Sequence, residues 1–252
     1  MTTPTEGKWP RLLGLAVHEF RSPLSVLMGY MRMAVPEEGM PLTEHHRWMF
    51  KQIEKSHSRL AALVAEMSEL SGLEEGTVKF NRRDADLRTV LAEAVAMSPA
   101  VPDRDVRTDL KTGEGPAMLH ADVPRLTGAF SSLLWALRRE LVTSDLLFVR
   151  ERSGEYEGKP ASWIAMGDAD HIETLVAATP EMLGTFDEWR GGCGLSLAVG
   201  RRVINAHGGA AWSPADGTKG GAVIVIPSGQ RSDPPPQPGS RRRASPGPHT
   251  AG

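Results

Sequence analysis

The chain has 252 residues, of which 40% are apolar and 24% are charged, and its formal net charge is −2. This composition is typical of a globular protein of one or two domains that buries a core without disulfide or metal support. A single cysteine, Cys193, excludes an internal disulfide, and the mild charge predicts no attraction to nucleic acid or anionic membranes.

The N-terminal residues contain no basic segment followed by an apolar one, so the sequence indicates no signal peptide. No apolar run approaches the ~20 residues that a membrane-spanning helix needs. We therefore expect a cytoplasmic protein. Residues 1–8 are predicted to be a flexible N-terminus.

Residues 9–75 are predicted to form a helical hairpin. The first helix runs from Trp9 to Ala34, where a segment rich in proline and glycine breaks it. Thr43 is a suitable N-cap for a second helix, which runs to about Ser71 with Gly72 at its end.

In the second helix, the residues of a heptad seam are Ile53, Leu60 and Met67, followed three positions later by Ser56, Leu63 and Leu70. One hairpin buries only part of this seam. We therefore predict a homodimer in which two hairpins form a four-helix bundle. The alternative is a hairpin that packs on its own C-terminal domain.

Residues 76–227 mix helical and strand-like patterns. The predicted helices are Leu87–Met97, Val123–Leu141 (capped by Asp122) and Leu195–Ala206, and the predicted strands are Val106–Leu110, Ala117–His120, Leu146–Arg150, Ser162–Met166, a segment at Trp212 and Ala222–Ile226. Helices on one mostly antiparallel sheet make this region an α+β sandwich. Residues 228–252 are rich in Pro, Arg and Ser and are predicted to be disordered.

The most specific segment is residues 18–25, His-Glu-Phe-Arg-Ser-Pro-Leu-Ser, in the middle of the first helix. Pro23 there costs roughly 3 kcal/mol and leaves the Glu19 carbonyl without its donor. His18 offers a functional reason, because neutral imidazole is a nucleophile near pH 7. Glu19 can accept a proton from the ring or act as a base, and Arg21 or Ser22 could contact a phosphoryl group.

This segment resembles the H-box of sensor histidine kinases, whose usual pattern is His-Glu-x-x-Ser/Thr-Pro-Leu on the first helix of a hairpin. The resemblance implies that His18 accepts a phosphoryl group and exchanges it with an aspartate on a response-regulator receiver domain. It also implies that residues 76–227 form an α/β sandwich of the histidine-kinase ATPase type. The alternative reading is an incidental surface histidine on a kinked helix.

Further segments are similar to the same family. Residues 121–126 resemble the lead into its N-box helix, and Phe186 with residues 192–199 resembles its F-box and second glycine box. The resemblance makes Gly192, Gly194 and Leu195 candidates for an ATP phosphate loop. Glycines allow close backbone approach to phosphates, and the following helix points its N-terminus at them.

Other positions depart from the family. Ser132 and Ala136 stand where the N-box asparagines belong, and Ala136 offers no oxygen to Mg²⁺. Met166, or Asp168 after a shift of two residues, stands at the adenine-binding aspartate of the first glycine box. Asp168 and Asp170 would repel a triphosphate. ATP and Mg²⁺ are thus implied by the resemblance but poorly supported by these residues.

Some alternatives remain open at this point. Asp168, Asp170 and Glu140 either recruit Mg²⁺ in another way or form a solvated acidic turn, and the sequence otherwise indicates no metal site. Cys193 is either a reactive thiol near a helix N-terminus or a small packing residue in a glycine loop.

The sequence therefore predicts a histidine-kinase-family protein of a two-component phosphorelay. It is either a kinase with an unusual ATP site or, as the departures favour, a histidine phosphotransferase with a decayed ATPase-like domain. The alternative from another class is a non-catalytic protein that docks on a response regulator or pairs with a partner kinase. Because few residues precede the first helix, we expect no preceding sensory module.

Overall fold

The computed structural model describes residues 9–34, 43–102, 104–217 and 219–229. The N-terminus expected to be flexible (1–8) lies outside this described part, as does most of the tail expected to be disordered (228–252). The helices are α1 (Trp9–Ala34), α2 (Glu44–Glu74), α3 (Leu87–Met97), α4 (Val123–Glu140), α5 (Ile172–Ala177) and α6 (Ser196–Ala206). The strands are β1 (Arg83–Asp86), β2 (Arg107–Lys111), β3 (Met118–Ala121), β4 (Leu146–Tyr156), β5 (Lys159–Gly167), β6 (Leu183–Thr185), β7 (Ala210–Pro214) and β8 (Ala222–Pro227).

The two predicted helices of the hairpin are present. The Thr43 side chain caps α2 by accepting a hydrogen bond from the His46 N–H at 3.3 Å. The predicted end of α2 is wrong by about one turn, because the helix passes through Gly72 and ends at Glu74. Gly72 serves close packing instead, since a Cβ at this position would lie 3.0 Å from Val78 Cγ2.

Side-chain hydrogen bonds to the backbone of α1 fix the register of the hairpin. The Ser71 hydroxyl donates to the Pro10 carbonyl at 2.7 Å, and the His57 ring donates from Nε2 to the Leu24 carbonyl at 3.1 Å. The two bonds lie the same number of residues apart on α1 and on α2, fourteen, as expected for antiparallel helices in one register. This register therefore places His18 level with Leu63.

The predicted heptad seam divides into two parts. Its upper part is covered within the chain, where Leu70 packs with Leu13 and with Ala198 of α6. Its lower part is not, since Ile53 and Leu60 are about half exposed, at 48% and 49%. The alternative of packing on the C-terminal domain thus holds for one half of the seam. The other half remains available to a second copy.

The second region contains a six-stranded sheet with the order β2-β4-β5-β8-β7-β6. All neighbouring pairs are antiparallel except β2 and β4, which confirms the predicted mostly antiparallel sheet. The predicted strands Leu146–Arg150 and Ser162–Met166 are longer than expected, because β4 and β5 continue to a tight turn at Glu157-Gly158, where both residues have positive φ. The prediction missed β1, β6 and α5, which are short.

The two faces of the sheet carry different cores. Side chains of β5 alternate between them. Ile164 and Met166 pack under α3, α4 and α6, whereas Trp163 on the opposite face packs with Ile172 and Leu175 of α5. The segment that follows β5 therefore crosses to the face opposite α4.

The entry to α4 is held by a partly buried histidine, His207. The Asp122 carboxylate accepts from the Arg125 N–H at 3.3 Å, and the Asp122 N–H donates to His207 Nε2 at 3.0 Å. The other ring nitrogen lies 2.7 Å from the Val203 carbonyl oxygen. One nitrogen accepts and the other donates, so this ring is held neutral. Burial accordingly lowers the pKa of His207 below its usual 6.5.

We expect stability to fall as the pH drops below about 6.5, because the unfolded chain binds the His207 proton before the folded chain does. The variant His207→Gln keeps an acceptor for the Asp122 N–H but does not titrate. Its free energy of unfolding, measured by urea denaturation at about pH 7.5 and about pH 5.5, should change less with pH than that of the wild type. Equal changes in both proteins would contradict this role.

Candidate phosphoacceptor site

His18 lies in the middle of α1 with its side chain exposed, and Glu19 beside it is exposed as well. The buried face of this helix is formed by residues such as Leu13 and Val17, which turn toward the rest of the protein. The imidazole is thus presented to solvent at the level of Leu63. A partner can reach it without any opening of the hairpin.

The helix continues through Pro23, and nearby polar side chains bond the carbonyls around it. The Ser25 hydroxyl donates to the Arg21 carbonyl at 2.9 Å, and His57 donates to the Leu24 carbonyl one turn further on. Neither bond replaces the donor that Pro23 removes from the Glu19 carbonyl, and a serine that bonds the carbonyl four residues earlier is typical of a bent helix. The sequence did not indicate the part played by His57, which lies 39 residues after His18.

Two further predicted site residues flank the proline. The Arg21 guanidinium donates to the Ser68 hydroxyl of α2 at 3.2 Å and lines a cleft of about 400 Å³ between the two helices. Ser22 is exposed. Arg21 is therefore tied across the hairpin while Ser22 stays on its surface.

The predicted phosphate loop reaches the hairpin. Gly192 and Gly194 have positive φ, and a Cβ on Gly194 would lie 3.2 Å from Leu63 Cδ2. The Leu195 N–H, just before α6, donates to the Glu66 carboxylate of α2 at 3.3 Å. The structure thus brings this loop to the level of His18, but a carboxylate of the same chain occupies the anion position.

The Glu66 carboxylate is partly buried in this contact. Burial raises the pKa of Glu66, the hydrogen bond from the Leu195 N–H opposes the shift, and the nearby Glu69 adds to it. This partly buried carboxylate thus takes the position at a helix N-terminus that an anionic ligand would otherwise occupy.

The N-box positions on α4 differ in their surroundings. Ser132 lines an open cleft of about 670 Å³ beside the glycine loop. Ala136 is fully buried under Gly191, so that a Cβ on Gly191 would lie 2.8 Å from both Cα and Cβ of Ala136. The loop backbone therefore fills the space over Ala136.

One turn further along α4, Glu140 binds Arg190 from the same loop. The Arg190 Nε lies 3.0 and 3.1 Å from the two carboxylate oxygens, and a second guanidinium nitrogen also bonds the carboxylate. Arg190 Nη1 donates to the Gly221 carbonyl at 2.7 Å, and the Gly220 N–H donates to Glu140 at 2.8 Å. Both side chains are almost fully buried, at 5% and 10% exposure.

Sequence reasoning missed this ion pair and the Glu66 contact, because no local motif signals a pairing over 50 or more residues. The proposed grouping of Asp168, Asp170 and Glu140 for Mg²⁺ is not formed. Glu140 binds Arg190, and Asp168 binds the His171 ring at 2.6 Å in the segment leading to α5. Within the described ranges, no three His, Cys, Asp or Glu side chains are arranged to hold a metal ion.

Two further residues of the predicted glycine boxes, Met166 and Cys193, are buried. Met166 is completely enclosed in the core under α4. Burial raises the pKa of the Cys193 thiol to about 11, which opposes thiolate formation and favours the packing role over the reactive one.

Comparison with known proteins gives consistent results. Residues 11–76 match the family model of the His Kinase A (phospho-acceptor) domain. The chain is 26% identical over 206 residues to the probable sensor protein PcoS of Escherichia coli and 24% identical over 197 residues to the circadian input-output histidine kinase CikA of Synechococcus elongatus. Each match covers 76% of this chain but only 41% and 26%, respectively, of the relative.

Solved structures with a similar fold include full-length ShkA in complex with AMPPNP, at a TM-score of 0.60 and 21% identity. That match covers 87% of this chain and 45% of ShkA. The histidine kinase AdeS of Acinetobacter baumannii has a TM-score of 0.52 at 18% identity, with 85% and 98% covered. Among the helices that the structure describes, none has the length and apolar character needed to cross a membrane.

We expect Pro23→Ala to raise the free energy of unfolding by about 1–3 kcal/mol, because alanine restores a backbone donor for the Glu19 carbonyl inside a continuous helix. Thermal and urea unfolding followed by circular dichroism would measure this. The control is Ser22→Ala, an exposed neighbour whose replacement should change stability by less than about 0.5 kcal/mol. A destabilised Pro23→Ala would show that packing of α1 requires the proline.

Proposed function

Because this chain belongs to the sensor histidine kinase family, we propose that it carries a phosphoryl group on His18 and exchanges it with an aspartate of a response-regulator receiver domain. The observation that supports this most is the exposed imidazole of His18 within a complete His-Glu-x-x-Ser-Pro-Leu segment of a phospho-acceptor hairpin.

The exchange is a nucleophilic substitution at phosphorus. A ring nitrogen of His18 attacks the phosphorus of an aspartyl phosphate, the N–P bond forms, and the receiver carboxylate leaves with the electron pair of the broken O–P bond. Glu19 accepts the proton carried by the other ring nitrogen, or holds that N–H by a hydrogen bond, which increases the nucleophilicity of the ring. The reverse step returns the phosphoryl group to an aspartate.

Residues close to His18 on α1 support this transfer. The exposed Ser22 hydroxyl donates to an oxygen of the incoming phosphoryl group. Arg21, held by Ser68, adds positive charge beside the path of that group. Pro23 weakens the helix locally, so that the turn carrying His18 adapts to a docked receiver domain.

The proposed active form is a homodimer. Large exposed apolar side chains concentrate on the hairpin of the described protein: Trp9, Leu15, Phe20, Val26, Leu27, Tyr30, Trp48, Met49, Ile53 and Leu60. A single copy leaves this surface in water, whereas a four-helix bundle buries much of it. The cytoplasmic location expected from the sequence stays a prediction.

The transfer can be measured with receiver domains that carry a labelled aspartyl phosphate. We expect acid-labile, base-stable label on the wild-type chain and more than about a 1000-fold loss in His18→Ala, because no nucleophile remains. The matched control is His45→Ala, which removes another exposed histidine of the hairpin and should transfer normally. If His18→Ala binds the receiver as tightly as the wild type but no protein takes up label, the chain is a docking protein.

Ile53→Glu should weaken dimerisation by about 100-fold, because it places a charge in the lower half of the bundle seam. Size-exclusion chromatography with light scattering over a range of concentrations would measure this. Val142→Glu, at an exposed apolar position of the second domain, is the control and should leave the dimer intact. Identical behaviour of the two variants would contradict the proposed bundle.

A further inference from the structure

We infer that the second domain takes no ATP–Mg²⁺ complex, because the residues present at the N-box and the glycine loop do not fit one. This inference does not depend on phosphoryl transfer to His18. It concerns the fit of the residues present, which fails at three separate points.

The first point is the metal-binding position on α4. Ala136 has no oxygen to offer Mg²⁺. Gly191 lies directly over it, and this contact leaves no room for a longer side chain at position 136. The missing amide and the closed loop are therefore one feature, since an asparagine here would push the loop away.

The second point is the ion pair of Arg190 and Glu140. Each partner has additional hydrogen bonds, the guanidinium to Ser213 and Gly221 and the carboxylate to the Gly220 N–H. A buried pair with these extra bonds resists separation, because opening it leaves an uncompensated charge in the interior. The buried Arg190 side chain thus holds the loop in its closed position.

The third point is the anion position at the start of α6. The Leu195 N–H is bonded to Glu66, and this carboxylate would repel a triphosphate at the same place. Lys55, Arg59 and Arg139 line the neighbouring cleft, and Glu66 lies among them. The first glycine box offers no alternative contact for a nucleotide, because Met166 has no carboxylate and is enclosed in the core, and Asp168 binds the His171 ring.

Contacts between α2 and the second domain indicate a structural role for this domain. Glu69 pairs with Arg125 of α4, and Glu74 pairs with Arg202 of α6 at 2.6 Å. Both pairs lie after Glu66 along α2, toward its C-terminal end. The domain thus acts as a brace for the upper end of the hairpin, where Leu70 packs with Ala198 of α6.

Binding can be measured on the full chain by isothermal titration calorimetry and thermal unfolding, with ATP–Mg²⁺ and AMPPNP–Mg²⁺ up to about 5 mM. We expect no saturable heat and no rise in Tm, whereas a ligand at 100 times its Kd would raise Tm by several degrees. Saturable binding of either nucleotide, or label on His18 from γ-labelled ATP, would overturn the inference. Transfer from a labelled receiver domain is a separate reaction, so its failure would leave this result unchanged.

A matched pair of substitutions tests the closed loop itself. Ala136→Asn should lower Tm by about 5 °C, because the amide collides with Gly191, whereas Ser132→Asn faces an open cleft and should leave Tm unchanged. Neither variant should bind nucleotide. If Ala136→Asn keeps the wild-type Tm or gains a Tm increase with ATP–Mg²⁺, the site is open and the inference is wrong.

Discussion

The organisation of this protein depends on the C-terminal half of α2, which packs against two partners at once. One face holds α1 through Leu70 and the Ser71 hydrogen bond to Pro10, and another holds the second domain through Glu66, Glu69 and Glu74. A helix fixed on both sides cannot rotate freely. The position of His18 is thus set by the same contacts that set the glycine loop.

A single small residue, alanine at position 136 of α4, determines how the glycine loop packs. Alanine at position 136 allows Gly191 to approach, and this approach lets Arg190 reach Glu140 in the interior. The contact of Gly191 with Ala136 and the ion pair of Arg190 with Glu140 together hold the loop in its closed position. Glycines that would suit a phosphate here serve backbone packing.

The sequence predicted the hairpin, the three longer helices of the second domain and the mostly antiparallel sheet, because periodicity and capping residues such as Thr43 and Asp122 act locally. His18 and its neighbours were recognisable for the same reason. The Arg190–Glu140 pair, the Glu66 contact and the crossing of α5 to the far face were not. They depend on contacts between residues far apart in the chain, for which the local sequence gives no pattern.

The direct contacts of α2 with the second domain described above lie between Leu63 and Glu74. The part of α2 before Leu63 extends about 28 Å beyond them, since a helix rises 1.5 Å per residue. This free length is about twice the radius of gyration of a 100-residue domain, about 13 Å, so a partner of that size can pack along the hairpin while the second domain keeps its contacts with α2.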